Sequence, residues 1–232
     1  MSKLSYKNFE YLLCSVVEDP LALWSKFVSL DGKIKRVKDE LLKNDRVIEI
    51  TGKSERSNSK DYIPTSLTCP SDSEAFLDIE LPIIVFVLKN LKLEGKIEFQ
   101  INDQCNFRRR FVLVANTARE KIKKVTSTTA FIPLTLADNW NKLEINLSTL
   151  CKDTYSTDYK SLLRIKLHPN FRYRRIYLQE HHYEQSNDVI DELHQALVNF
   201  SSLKNKSYSN ENKYCQTQPI INSKVTLKKR KM

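Results

Sequence analysis

The chain has 232 residues, 41% of them hydrophobic, which suits one domain with a sizeable core. Three glycines, and no apolar run near the ~20 residues that cross a bilayer, exclude Gly-rich phosphate loops, collagen-like repeats and a membrane-spanning helix. The net charge of +10 is uneven: residues 201–232 hold eight Lys or Arg against one acid, so the first 200 residues are close to neutral and do not read as a nucleic-acid-binding fold.

In chain order, residues 1–13 carry Lys3, Lys7 and Glu10 with no long apolar stretch, so no secretory signal is expected. Trp24 closes the apolar run Leu21-Ala22-Leu23 and is assigned to the core. Asp31-Gly32 suits a tight turn before predicted strands at 33–37 and 46–51. The polar, Ser-rich stretch 53–61 reads as an exposed loop. Short segments rich in β-branched and aromatic residues predict strands at 76–81, 83–88, 97–102 and 107–114, with the Asn102-Asp103 turn joining the last two. A strand is predicted at 130–136, and a turn at Asp138-Asn139. Trp140 then opens a segment in which Leu143, Ile145 and Leu147 alternate toward a core. Ser148 is placed as the cap of a short helix ending near Asp153, followed by strands at 162–168 and 172–178. Asn187 caps a predicted helix to Phe200, striped by Val189, Ile190, Leu193, Leu197 and Phe200. Beyond it the Ser-, Asn- and Lys-rich residues 201–232 read as a disordered basic tail. Many short strands with few helices predict a mainly β protein, a β-sandwich or jelly roll over residues 1–200 with a C-terminal helix.

Catalytic signatures are missing. The sequence has no G-x-S-x-G elbow and no H-E-x-x-H helix. Cys14, Cys69, Cys105, Cys151 and Cys215 are scattered, odd in number and without a C-x-x-C pair, which predicts reduced thiols and no metal site. His181 and His182 would face opposite ways if extended, and neither they nor His168 and His194 have a Cys or acid at ligand spacing. Asp72 with Glu74, and Asp188 with Asp191, fit solvation and helix capping. No enzyme, cofactor, metal or small-molecule substrate is expected.

Three basic clusters stand out: Lys33, Lys35 and Arg36; Arg108-Arg109-Arg110 between Phe107 and Phe111; and Arg172, Arg174 and Arg175 among Phe171, Tyr173 and Tyr177. Arginine beside aromatic rings is favoured where proteins meet, because the guanidinium forks onto carboxylates and stacks on rings. Strand alternation groups Arg108 with Arg110 and Arg172 with Arg174, and sets Arg109 and Arg175 on the opposite faces. Lys33, Lys35, Arg36, Arg108, Arg110, Arg172 and Arg174 are therefore the candidate partner-binding residues. Charges that guard strand edges, or form internal ion pairs, are the competing explanation.

Read together, these pieces resemble the cilia- and flagella-associated protein twenty family. The matching residues run in order: Leu23-Trp24, Gly32 to Arg36, Thr68-Cys69-Pro70, Leu77 to Pro82, Lys89-Asn90-Leu91, Arg108 to Phe111, Pro133-Leu134, Asp138 to Asn141, Leu163-Arg164-Ile165 with His168, and Arg172 to Tyr177. Asn139 and Ser156 stand where the family has glycine, and the basic tail extends past its usual short form, the pattern of a diverged paralogue. The resemblance implies a jelly roll similar to carbohydrate-binding modules and no catalysis. It also implies a place in the axoneme, cytoskeleton and cytoplasm of ciliated cells, at the inner junction of doublet microtubules. There the partners would be tubulin and neighbouring junction proteins, in support of motility; the basal body is a further location. Two other readings remain open: a glycan-binding module using Trp24 or Trp140, and a nuclear or nucleic-acid-associated protein using Lys228-Lys229-Arg230-Lys231.

Overall fold

The computed structural model describes residues 8–53, 62–116 and 124–183. Two sheets face each other. The first is built from β1 (Phe9–Cys14), β3 (Lys33–Asp39), β4 (Asp45–Thr51), β6 (Ile83–Asn90), β11 (Trp140–Asn146) and β13 (Phe171–Gln179), in the order β11-β6-β13-β4-β3. On the side of β13 away from β6, its first residues bond β4 and its later residues bond β1. The second sheet runs β2-β5-β12-β7-β8-β10-β9, from β2 (Ser25–Phe27), β5 (Ser66–Cys69), β7 (Gly95–Asp103), β8 (Arg108–Ala115), β9 (Lys124–Val125), β10 (Thr129–Leu134) and β12 (Tyr159–Leu167). All its pairs are antiparallel except β10 with β8. This is the mainly β two-sheet fold that the strand pattern predicts.

The core lies between the sheets because each strand alternates. In β7, Ile97, Phe99 and Ile101 are buried while Lys96, Glu98 and Gln100 are half-exposed. Phe99 stacks on Phe111 at 5.3 Å, and Phe111 meets the Tyr155 ring edge-on at 5.6 Å. Trp24 is buried, as expected, and its indole NH donates to the Leu12 carbonyl at 2.7 Å. Gly95 begins β7 where the Phe171 ring crosses; a Cβ there would stand 2.4 Å from the ring.

Several expectations change. Residues 76–81 form no strand: Asp78 takes a left-handed φ of 53°, and the segment's backbone pairs with β12 through Leu77 N to Leu163 O and an Ile79–Leu162 bridge, with Tyr159 and Ser161 of β12 adding side-chain hydrogen bonds to Ile79, Leu81 and Asp78. Asp103 still belongs to β7, so the hairpin turns over residues 104–107, where Asn106 has φ 63° and Phe107 N donates to Asp103 Oδ1. The short helix α1 (Leu147–Tyr155) is capped by Asn146, which accepts from Thr149 N at 3.0 Å, and not by Ser148. Residues 54–61, the 187–200 helix, the 201–232 tail, His194 and Cys215 lie outside the described residues.

Candidate functional site

The candidate residues fall on opposite sides of the sandwich. One row crosses the outer face of the first sheet: Lys35, Glu49, Arg172, Lys89 and Trp140 are successive cross-strand partners. Arg172 Nε donates to Glu49 Oε2 at 2.6 Å and its Nη1 to Asp39 Oδ2 at 2.7 Å. Asp39 has no exposed surface and also accepts from Lys89 Nζ at 3.0 Å, Trp140 Nε1 at 3.2 Å and the Leu41 amide. Burial pushes the Asp39 carboxyl up, but the hydrogen bonds from Lys89, Arg172 and Trp140 outweigh it and hold the group at about 2. Arg174 donates to Asp45 at 2.6 Å. Arg172 and Arg174 thus hold three strands of their own sheet together.

A bulge between Tyr173 and Arg175 changes the faces read from alternation. Arg172 lies opposite Lys89 and Arg175 opposite Val87, two positions of one face, so Arg175 joins Arg172 and is not set against it. The extra residue is Arg174. In the first basic cluster, Lys33 and Lys35 are exposed, whereas Arg36 turns onto the Val17 and Glu18 carbonyls.

The outer face of the second sheet differs. Arg108 and Arg110 are exposed and, among the described residues, neither forms an ion pair. Arg108 lies over the Phe76 ring at 4.6 Å, and Arg164 approaches the same ring at 5.9 Å. Arg164 sits opposite Gln100, and Gln100 opposite Arg110, so they form one row; Lys166 pairs with Glu98 in the next. Arg164 is fixed by the carbonyls of Pro70, Ser73 and Ala75. The one acid in these two rows, Glu98, accepts from His168 Nε2 at 2.7 Å. Burial raises its carboxyl, yet that hydrogen bond and the charges of His168, Lys166 and Arg110 lower it further. Arg109 points the other way, as alternation predicts, onto Asp103 at 3.0 Å and between the Phe107 and Tyr155 rings.

Arg164, Lys166 and Phe76 were not among the sequence candidates. The i, i+2 spacing of Arg164, Lys166 and His168 along a predicted strand carries the signal for the first two. Phe76 carries none, because it reaches Arg108 from outside the sheet.

Among the described residues no group of His, Cys, Asp and Glu is placed to hold a metal. The ion-pair partners of His168, His181 and His182 are Glu98, Glu180 and Glu144, not a hydroxyl or thiol. Cys14, Cys69 and Cys151 are buried free thiols, and Cys105 is an exposed one. Trp24 is buried, and Trp140 is half-buried with its NH held by Asp39.

A family model described as the CFA20 domain matches residues 1–197. The chain is 34% identical over 178 residues to cilia- and flagella-associated protein 20 of Chlamydomonas reinhardtii, covering 77% of this chain and 87% of that one. It is 33% identical over 186 residues to the protein of the same name from Paramecium tetraurelia, covering 80% and 91%. Among solved structures it is similar to the family 11 carbohydrate-binding module CtCBM11, with a TM-score of 0.41, 12% identity, and coverage of 78% of this chain and 100% of that one.

Proposed function

This chain belongs to the CFA20 domain family, whose curated relatives are named as cilia- and flagella-associated proteins, and from that premise we propose that it is a non-enzymatic structural protein of the axoneme. In this reading it binds doublet microtubules and neighbouring inner-junction proteins and supports motility. The contact is made by the outer face of the second sheet. The observation that carries it is the contrast between the two faces: Arg172 and Arg174 are spent on Asp39, Glu49 and Asp45, while Arg108 and Arg110 are exposed and have no ion pair among the described residues. A cationic face with an aromatic platform suits an acidic protein surface, and tubulin is the first such surface to try.

The test is co-sedimentation of the full chain with isolated doublet microtubules, beside localisation of the tagged protein in ciliated cells. Arg108→Gln with Arg110→Gln should leave the melting temperature unchanged, because substitutions at solvated charges usually stay within about 0.5 kcal/mol. It should weaken doublet binding at least tenfold at low salt, and the gap from the parent chain should narrow as salt rises. Undiminished binding by this variant, or exclusion of the parent chain from cilia, would refute the reading.

A further inference from the structure

The free edge of the first sheet offers a second surface. β3 bonds β4 along its whole length on one side, from Lys33 opposite Thr51 to Asp39 opposite Asp45. Its other side is the end of the sheet, and no described residue bonds the outward peptide groups of residues 33–38. An open row of N–H and C=O groups is a template for a further strand.

The side chains decide which strand can come. Lys33, Lys35 and Lys38 are exposed on β3, and Arg46 stands directly opposite Lys38. Like charges in that position repel. The acids on these two strands do not relieve them, because Asp39, Asp45 and Glu49 are engaged by Lys89, Arg172 and Arg174. Arg36 is turned away onto the Val17 and Glu18 carbonyls, which anchors the strand without covering its edge. A second copy of this edge would bring the same cations against themselves. We propose that β3 receives an extended acidic segment of a partner protein as an added strand. The segment's peptide groups bond residues 33–38, and its carboxylates meet Lys33 and Lys35, which share one face of the strand. Seven residues of β3 span roughly 23 Å, enough for a segment of similar length.

This surface lies across the sandwich from Arg108 and Arg110, so the two can be tested apart. The probe is a fluorescent peptide of about ten residues alternating Glu with Val or Thr, chosen for extended backbone. A second peptide has the same sequence with its central amides N-methylated, which keeps the charge and removes the strand donors. With the full chain, the first peptide should bind in a salt-sensitive way and slow amide exchange within residues 33–38. N-methylation should weaken binding at least tenfold, Lys33→Gln with Lys35→Gln should weaken it severalfold, and Arg108→Gln with Arg110→Gln should leave it unchanged. Equal binding of the methylated peptide would mean a charge contact without an added strand and overturn the proposal. So would protection mapping to β8 or β12, or no binding at low salt.

Discussion

Asp39→Asn tests how much of the first sheet's stability resides in one buried charge. The substitution keeps the shape, the acceptor for the Leu41 amide and the acceptor for Trp140, and removes the charge that Lys89 and Arg172 face. Held at about 2 against an ordinary 3.8, the folded-state carboxyl is depressed by nearly two pH units. At 1.36 kcal/mol per unit this is worth about 2 kcal/mol at neutral pH. The sign follows from proton uptake: between these two values the unfolded chain binds the proton and the folded chain does not. The contribution is therefore complete above about pH 5, falls as pH falls, and is roughly halved by pH 3. Arg172 keeps Glu49 as a partner, and Lys89 can reach solvent, so the loss should stay near this figure and below the roughly 3–5 kcal/mol of a buried pair broken without relief. Urea unfolding of parent and variant at a series of pH values measures it. A gap of about 2 kcal/mol at pH 7 that narrows by about half at pH 3 is expected. A gap that does not change with pH, or no gap at pH 7, would show that the buried carboxylate is not what holds β3, β6 and β13 together.

Gly95→Ala places a methyl 2.4 Å from the buried Phe171 ring, where neither β7 nor β13 can yield easily. It should cost about 1–3 kcal/mol by overpacking, read as a lower urea midpoint with unchanged slope, and an unaltered midpoint would refute the tight crossing. Thiol labelling of the native chain should modify Cys105 quickly and spare Cys14, Cys69 and Cys151. Burial raises the Cys69 thiol most, to about 12, so it should be the slowest of these; fast native labelling at Cys69 would contradict the packing.

The strand pattern made most of the fold legible. Segments 97–102 and 107–114, rich in β-branched and aromatic residues, appear as β7 and β8, and the alternating 143–147 falls on β11 up to Asn146, with Leu147 opening α1. What alternation does not carry is local backbone geometry. The left-handed Asp78 turns an apparently regular 76–81 strand into a single bridge, and the β13 bulge moves Arg175 onto the face of Arg172. Strands β2, β5 and β9 have two to four residues, too few for a period to declare itself. β1 was missed for another reason: Phe9 and Tyr11 share its outward side with Val85 and Tyr177, so apolar residues occupy both faces. The site was half legible for a similar cause. The arginines are visible in sequence, but Asp39, Asp45 and Glu49 lie more than a hundred positions from Arg172 and Arg174. Only folding reveals which cations they neutralise.

The position of β13 also sets an order on synthesis. It is the seam of its sheet, joining the β3–β4 pair and β1 on one side to the β6–β11 pair on the other. Yet it is the last strand of the described chain to be translated. The β3–β4 and β6–β11 pairs can form early on the ribosome, but no described strand can join them until residues 171–179 have emerged. A stop between Asn146 and Phe171 would therefore leave two unjoined fragments of a sheet, each with a long edge exposed. Loss of the final strand would be a loss of the protein, whereas β9, with two residues at the margin of the other sheet, offers no comparable point of failure.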